Sequence, residues 1–345
     1  MVRSLLTPSL IALALLLGAC AEETVGPTTA QAGTLLAEPS LEFPDTISEL
    51  GLFPDAPRLS SVPVEASLYA PSWPLWSNDL GKVRHVRLPD GTSVDVTNSD
   101  AWQFPEDTLF FKTFTTTDPS HPEGQRPVET RVVRIIEEDI EYASYIWNEA
   151  GTDGDRTDLK LPVEIEVTEA GQTFLHAVPN KLQCRKCHES HPTEVLGFAA
   201  SQLSELEVSE LTDAGIFQSP PAVVTIDHPE EETREILGYF QGNCVHCHNG
   251  SDGPSSSYDL SAGVALEALI GQPTEGSASA PGIRVVPGDP EGSILYQALV
   301  NNSEEEDDES EGGEEAKAMP PVGVQLKDAE MIEKIRLWIL SLDAT

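Results

Sequence analysis

Between residues 61 and 180, apolar and polar positions alternate in short runs broken by Asp, Gly and Pro. "KVRHVRLPDGTSVDV" sets a Pro-Asp-Gly turn between two alternating runs, which predicts a hairpin. "DTLFFKTFTTT", "VETRVVRIIEE", "IEYASYIWNEAG" and "PVEIEVTEAGQTFLHAV" are further β-branched or aromatic runs and predict strands. After residue 180 the period changes. "SQLSELEVSELTDAG" predicts a capped helix ending at Gly215. "PEEETREILGYFQGN", "SAGVALEALIG", "DPEGSILYQALV" and "LKDAEMIEKIRLWILSL" predict four more helices, the last with Ile332, Ile335 and Ile339 on one apolar face beside Met331 and Trp338. The expected fold class is α+β and multidomain. An antiparallel, sandwich-like β-rich domain over 61–180 precedes a helical segment over 181–225 and an all-α domain over 229–345.

The N-terminus reads differently from both. Arg3 precedes an unbroken apolar run over 11–17, too short to span a bilayer, and Leu17-Gly18-Ala19-Cys20 closes it. Residues 1–19 are expected to be a lipoprotein signal peptide, with Cys20 lipidated as the first mature residue. Ala21 favours outer-membrane over inner-membrane retention, and 20–60 reads as a tether and lead-in. The expected location is therefore the periplasm, held to a membrane by lipid alone. Asp and Glu number 58 against 20 Lys and Arg, a net charge of −38. That argues against nucleic-acid binding, which needs clustered cations. It reads first as a solvated acidic coat, and second as a surface for basic partners. The densest acidic run, 303–315, is an insertion without the ligand spacing or turn glycine of a calcium loop.

The chain has five cysteines. With Cys20 assigned to lipid, the other four form "CRKCH" (Cys184, Cys187, His188) and "CVHCH" (Cys244, Cys247, His248). In a c-type site the two thiols add to the two vinyl groups of a haem and the adjacent histidine binds its iron, so C-x-x-C-H carries the whole attachment chemistry. Zinc shared between the pairs would need a far shorter gap, and a thioredoxin-like pair would sit near a βαβ pattern. Neither explains a histidine after both pairs. Two covalent haems with His188 and His248 as axial ligands are expected.

For the second haem, Met319 in "AMPP" is the expected sixth ligand, on a loop stiffened by the prolines that follow, and His/Met ligation raises the reduction potential. Met331 reads as core. For the first haem the sixth ligand stays open. His191 is only three residues past His188. His85, His176 and His228 could approach from other segments, His121 remains, and His246 is constrained inside the second motif. A five-coordinate iron is a further alternative.

Two resemblances follow from these stretches. "ILGYFQGNCVHCHNG", "RVVPGDPEGSILYQAL", "MPPVG" and "EMIEKIRLWI" resemble a class I cytochrome c domain over 229–345, which implies an N-terminal helix crossing the C-terminal one through Gly238 and Tyr239 against Trp338. "LWSNDLGKVRHVRLPDG", "WQFPEDTLFFKTF", "ETRVVR", "YIWNEAGTD" and "VPNKLQCRKCH" resemble a family of bacterial secreted diheme c-type proteins, and the two together span about 69–345. They imply a lipid-anchored carrier of single electrons between periplasmic or outer-membrane redox proteins, rather than a catalyst. The alternative is a diheme peroxidase-like enzyme with an open first haem. A third possibility gives the β-domain a binding role, with Trp73 and Trp76 as its aromatic contact, against their ordinary role as core.

Overall fold

A computed structural model describes residues 42–53, 59, 66–99, 101–137, 139–189, 195–250, 258–275, 280–301 and 316–343. Cys20, His191 and the acidic run 303–315 lie outside the described residues. Six strands form one sheet in sequence order: β1 (Ala66–Tyr69), β2 (Gly81–Arg87), β3 (Leu109–Thr117), β4 (Gln125–Ile136), β5 (Asp139–Trp147) and β6 (Gly154–Arg156). All neighbours are antiparallel. A hairpin, β7 (Val163–Glu169) and β8 (Gln172–Val178), forms a separate two-stranded sheet. Six helices follow: α1 (Lys181–His188), α2 (Glu205–Asp213), α3 (Glu231–Asn243), α4 (Ala265–Leu269), α5 (Ile294–Val300) and α6 (Ala329–Ser341). The mixture is α+β, with the strands first. None of these helices is long and apolar enough to cross a membrane.

Two sequence expectations change. The run after Pro89-Asp90-Gly91 does not fold back on β2, whose partners are β1 and β3. Val94 instead bridges to Phe217, and both are buried in one cluster. Burial against a distant aromatic outweighed a local turn signal. The sheet also lacks a second full sheet opposite it among the described residues, so the sandwich is replaced by one meander with different covers on its two faces.

Alternation decides which residue meets which cover. On one face Phe111, Val132, Tyr145 and Trp147 pack under Phe43, Ile47, Leu52, Phe53 and Leu59. The other face has three rows set by the register. Val86, Phe110, Val133 and Tyr142 pack with Phe198, Val208 and Leu211, the last two from α2. At the opposite end Phe114 meets Leu80 and Val167 of the hairpin. Between these apolar rows lies a polar one, Arg84, Lys112, Arg131 and Ser144.

The helical part builds its own apolar cluster from Ile236, Leu237, Phe240, Leu269, Val285, Leu299, Ile335, Trp338 and Ile339. It is tied to the strands by the strap 71–80. Trp76 donates its backbone N–H to Asn243 (2.7 Å) and its indole N–H to the Leu326 carbonyl (2.6 Å). Asn78 is fully buried at φ 55, a left-handed conformation that Asn tolerates. Its Oδ1 accepts from the backbone N–H groups of Gln325 (2.8 Å) and Leu326 (2.9 Å), and its Nδ2 donates to Gln325 Oε1 (2.9 Å). Half-buried Trp76 thus fastens the strap to the helical part. Residues 43–345 form one compact unit. Asn78→Ala is expected to cost about 2–4 kcal/mol in denaturant unfolding, because it strands two N–H groups. Asn78→Asp keeps the acceptor and should lose less.

Candidate functional site

The first cysteine pair lies on α1, which starts where the sequence supplies a cap. Asn180 Oδ1 accepts from the Gln183 N–H (2.9 Å), and Gln183 Oε1 accepts from the Asn180 N–H (3.0 Å), a reciprocal capping box. Starting the helix there places Cys184, Cys187 and His188 at spacings of three and four, on one side. Burial pushes the Cys184 thiol up to about 11. The His188 ring stands edge-on to Tyr142 at 5.5 Å between centroids.

The second pair follows α3 directly. Cys244 donates its N–H to the Phe240 carbonyl (2.8 Å), and the His248 N–H reaches the Cys244 carbonyl (2.8 Å), so the helical path continues as a turn through the motif. Burial pushes the Cys244 thiol up to about 12. His248 packs on Tyr258 at 4.6 Å, and the Arg284 guanidinium lies 4.2 Å from the centre of that ring. Burial, assisted by the charges of His246 and Arg284, lowers His248 to about 4, so its imidazole is neutral. Its Nδ1 is buried without a hydrogen-bond partner.

The fold brings the two motifs together. Ligand atoms of Cys187, His246 and Cys247 lie within 4.8 Å of one another. Cys247 Sγ also lies 3.9 Å from the Lys186 carbonyl. The hydrogen bond between Cys247 and Cys187 outweighs burial and, together with His246, holds the Cys187 thiol below its ordinary value. His246 therefore bridges the motifs, a role that its place inside C-x-x-C-H did not signal.

The chain matches no family model, no curated protein and no solved structure. The donor chemistry must therefore be weighed by itself. The convergence removes the long sequence gap as an argument against a shared metal ion. Geometry replaces it. The converging group takes one cysteine from each pair and one histidine, too few for a closed four-ligand structural zinc site, though equal in number to an open one. Cys184 instead sits near Arg131, Glu129 and Lys112, and Cys244 near Tyr239 and Tyr258. None of the four motif cysteines is in a disulfide. One pair per porphyrin with a neighbouring imidazole, one of them neutral with an orphaned buried nitrogen, fits two c-type haems.

Met319 lies on the loop before α6, 38% exposed, its backbone N–H bonded to the Ala298 carbonyl (2.8 Å). With Trp76, Tyr239, Leu299 and Ile332 it lines a cavity of about 20 Å³ that His248 does not line. Met331 is partly buried against the helical cluster. Tyr239 packs against the cluster that holds Trp338, and a Cβ at Gly238 would meet the Trp73 ring of the strap, a neighbour that the sequence did not signal. The helices α3 and α6 still pack together, through Ile236, Phe240, Ile335 and Trp338.

The other histidines sort by the face they occupy. His85 is fully buried against Phe53, on the face opposite Arg84 and Lys112, and burial lowers it to about 4. It is turned away from α1. His228 bonds the Glu230 backbone ahead of α3. His176 is on the same side as α1. Its Nε2 is 2.7 Å from Glu129 Oε2, and its Nδ1 is buried without a partner. Arg131 holds the same carboxylate through Nε (2.7 Å) and Nη2 (2.9 Å) and lies over the Phe114 ring at 4.5 Å. This Glu129–Arg131–His176 group escaped the sequence reading. Its one signal was the period of two in "ETRVVR", which puts Glu129 and Arg131 on the same strand face.

Proposed function

We propose that the protein is a diheme c-type cytochrome that passes single electrons between redox partners. The observation that carries this is the convergence of two C-x-x-C-H motifs, distant in sequence, at Cys187, His246 and Cys247. In this reading Cys184 and Cys187 form thioethers to one haem, and Cys244 and Cys247 to the other. His188 and His248 hold the irons. Each haem supplies a one-electron ferric/ferrous couple when bound. Tyr142 and Tyr258 orient the two imidazoles, and Arg284 backs Tyr258. Attachment at adjacent sulfurs would join the two centres without an intervening protein layer.

The helical cluster over 236–339 supports the finer reading of the C-terminal part as a class I cytochrome c-like domain. There Met319 is the proposed sixth ligand, on a loop anchored by Trp76 and Asn78. Cys20 is the proposed lipid anchor in the outer membrane, and the charge of −38 favours basic partners at low salt.

Protein matured by a c-type haem machinery is expected to gain the mass of two haems. Replacing either cysteine pair by alanine should remove one. An unmodified mass, or a zinc-loaded one, overturns the reading. Electron paramagnetic resonance of the oxidised protein distinguishes carrier from enzyme: a low-spin first haem supports electron transfer, whereas a high-spin one with peroxide turnover supports the peroxidase-like alternative.

A further inference from the structure

The polar row on the sheet carries more positive charge than the described residues balance. Arg84, Lys112 and Arg131 are direct cross-strand partners on β2, β3 and β4, on one face. Lys82 stands on the same face two residues from Arg84. Four cations thus share one patch of a protein with only 20 Lys and Arg. Like charges placed directly opposite each other in a sheet are destabilising, and a buried charge needs a partner.

Carboxylates are scarce here. Glu129 is the acid in the patch, and Arg131 and His176 already share it. Asp79 adds a weaker attraction for Lys82. Arg84 is 8% exposed and has neither an ion pair nor a hydrogen bond to an acid among the described residues. Lys112 lies by the Phe114 ring, at 5.4 Å, and feels the attraction of Glu129, a carboxylate that Arg131 and His176 already hold. Burial and the charges of Arg131, Arg84 and Lys82 lower Lys112 to about 7, and Lys82 falls to about 8. Among the described residues the patch holds fewer acids than cations.

Its position says where the balancing charge comes from. Arg131 acts on both Cys184 and Cys187, Lys112 on Cys184, and Arg84 lies one strand further out. From Arg131 to Arg84 the row crosses two strand spacings, on the order of 10 Å. It therefore leads away from the thiols. A haem bound through its vinyl edge carries two propionate carboxylates on the opposite edge.

We infer that Lys82, Arg84 and Lys112 form a carboxylate-binding site for the propionates of the haem attached at Cys184 and Cys187. This rests on the diheme reading above. With Glu129, the two propionates would set three negative charges against the four cations, and no proton need be lost.

The test uses the haem-loaded protein with Lys112→Gln, Arg84→Gln and Lys112→Arg, read by mass, redox titration and redox-difference infrared spectroscopy. All three variants should keep two haems, since attachment needs only the cysteines. In the two Gln variants one of the two midpoint potentials should fall, because an unpaired propionate disfavours the added electron, while the other stays. The propionate carboxylate band should move to its unpaired position. Lys112→Arg should restore both readings. Two haems with unmoved potentials and an unmoved band in both Gln variants would overturn the carboxylate site alone. A wild-type protein without covalent haem would overturn the diheme reading and this site with it.

Discussion

Glu129→Gln should be the most destabilising single change in the β-rich part, by about 3–5 kcal/mol, the cost of breaking a buried ion pair from one side. Glu129 is fully buried, yet it accepts from Arg131 twice and meets His176 at 2.7 Å. Glutamine keeps the shape but withdraws the charge. Arg131, 24% exposed, is then left beside Lys112 and Arg84 without its carboxylate partner. The pH dependence identifies the mechanism. Burial alone would raise the Glu129 pKa, but the charge of Arg131 and the hydrogen bonds of His176 and Arg131 hold it at about 2, below the ordinary 4.5. A carboxyl with a depressed folded-state value binds more protons when unfolded. Its contribution is therefore complete above about 4.5 and disappears as pH falls toward about 2. The stability difference between wild type and Glu129→Gln should shrink across that window in urea titrations. A difference that stays constant from pH 6 to pH 2.5 would mean that charge is not what Glu129 supplies.

Gly238→Ala should destabilise, against the usual sign for a helix interior. Alanine is better than glycine there by about 0.5–1 kcal/mol. At position 238, however, a Cβ would lie 2.1, 2.3 and 2.4 Å from three atoms of the Trp73 ring. Gly242, one turn on, is closed by the Trp73 carbonyl at 2.5 Å. The Trp73 backbone is held in place, its N–H donating to Gln202 Oε1 (3.3 Å) and its carbonyl lying against Gly242. Overpacking of this kind costs about 1–3 kcal/mol, occasionally more, and outweighs the propensity gain. Removing the ring should reverse the sign: in a Trp73→Ala background, Gly238→Ala should stabilise. Thermal unfolding of the four members of this cycle measures both signs. Because α3 leads straight into Cys244, the single variant should also lower the yield of doubly haem-loaded protein.

The parts that were legible in advance share a physical trait: their cause is local. Ser204 caps α2 by accepting from the Glu207 N–H, and Gly215 takes φ 83 beyond its end, as the run "SQLSELEVSELTDAG" implied. The strand runs containing "LFFKTFTTT" and "ETRVVRII" became β3 and β4 because alternation suits a pleated surface covered on both faces. The turn at Pro89-Asp90-Gly91 was misleading for the complementary reason. A turn motif lets the chain reverse, but burial of Val94 beside Phe217 decided what it paired with.

By itself the sequence determined the attachment chemistry that each C-x-x-C-H motif could support, the capped helix that ends at Gly215, and the order of strands before helices. Each depends on residues within a few positions of one another. Only the tertiary structure decided that Cys187 meets Cys247 and His246, that Trp73 closes on Gly238, and that three cations from three strands align in a row starting at Cys184. Those facts follow from strand register and helix docking. A shift of one residue in β3 would send Lys112 to the opposite face, and no short stretch of sequence records which face it takes.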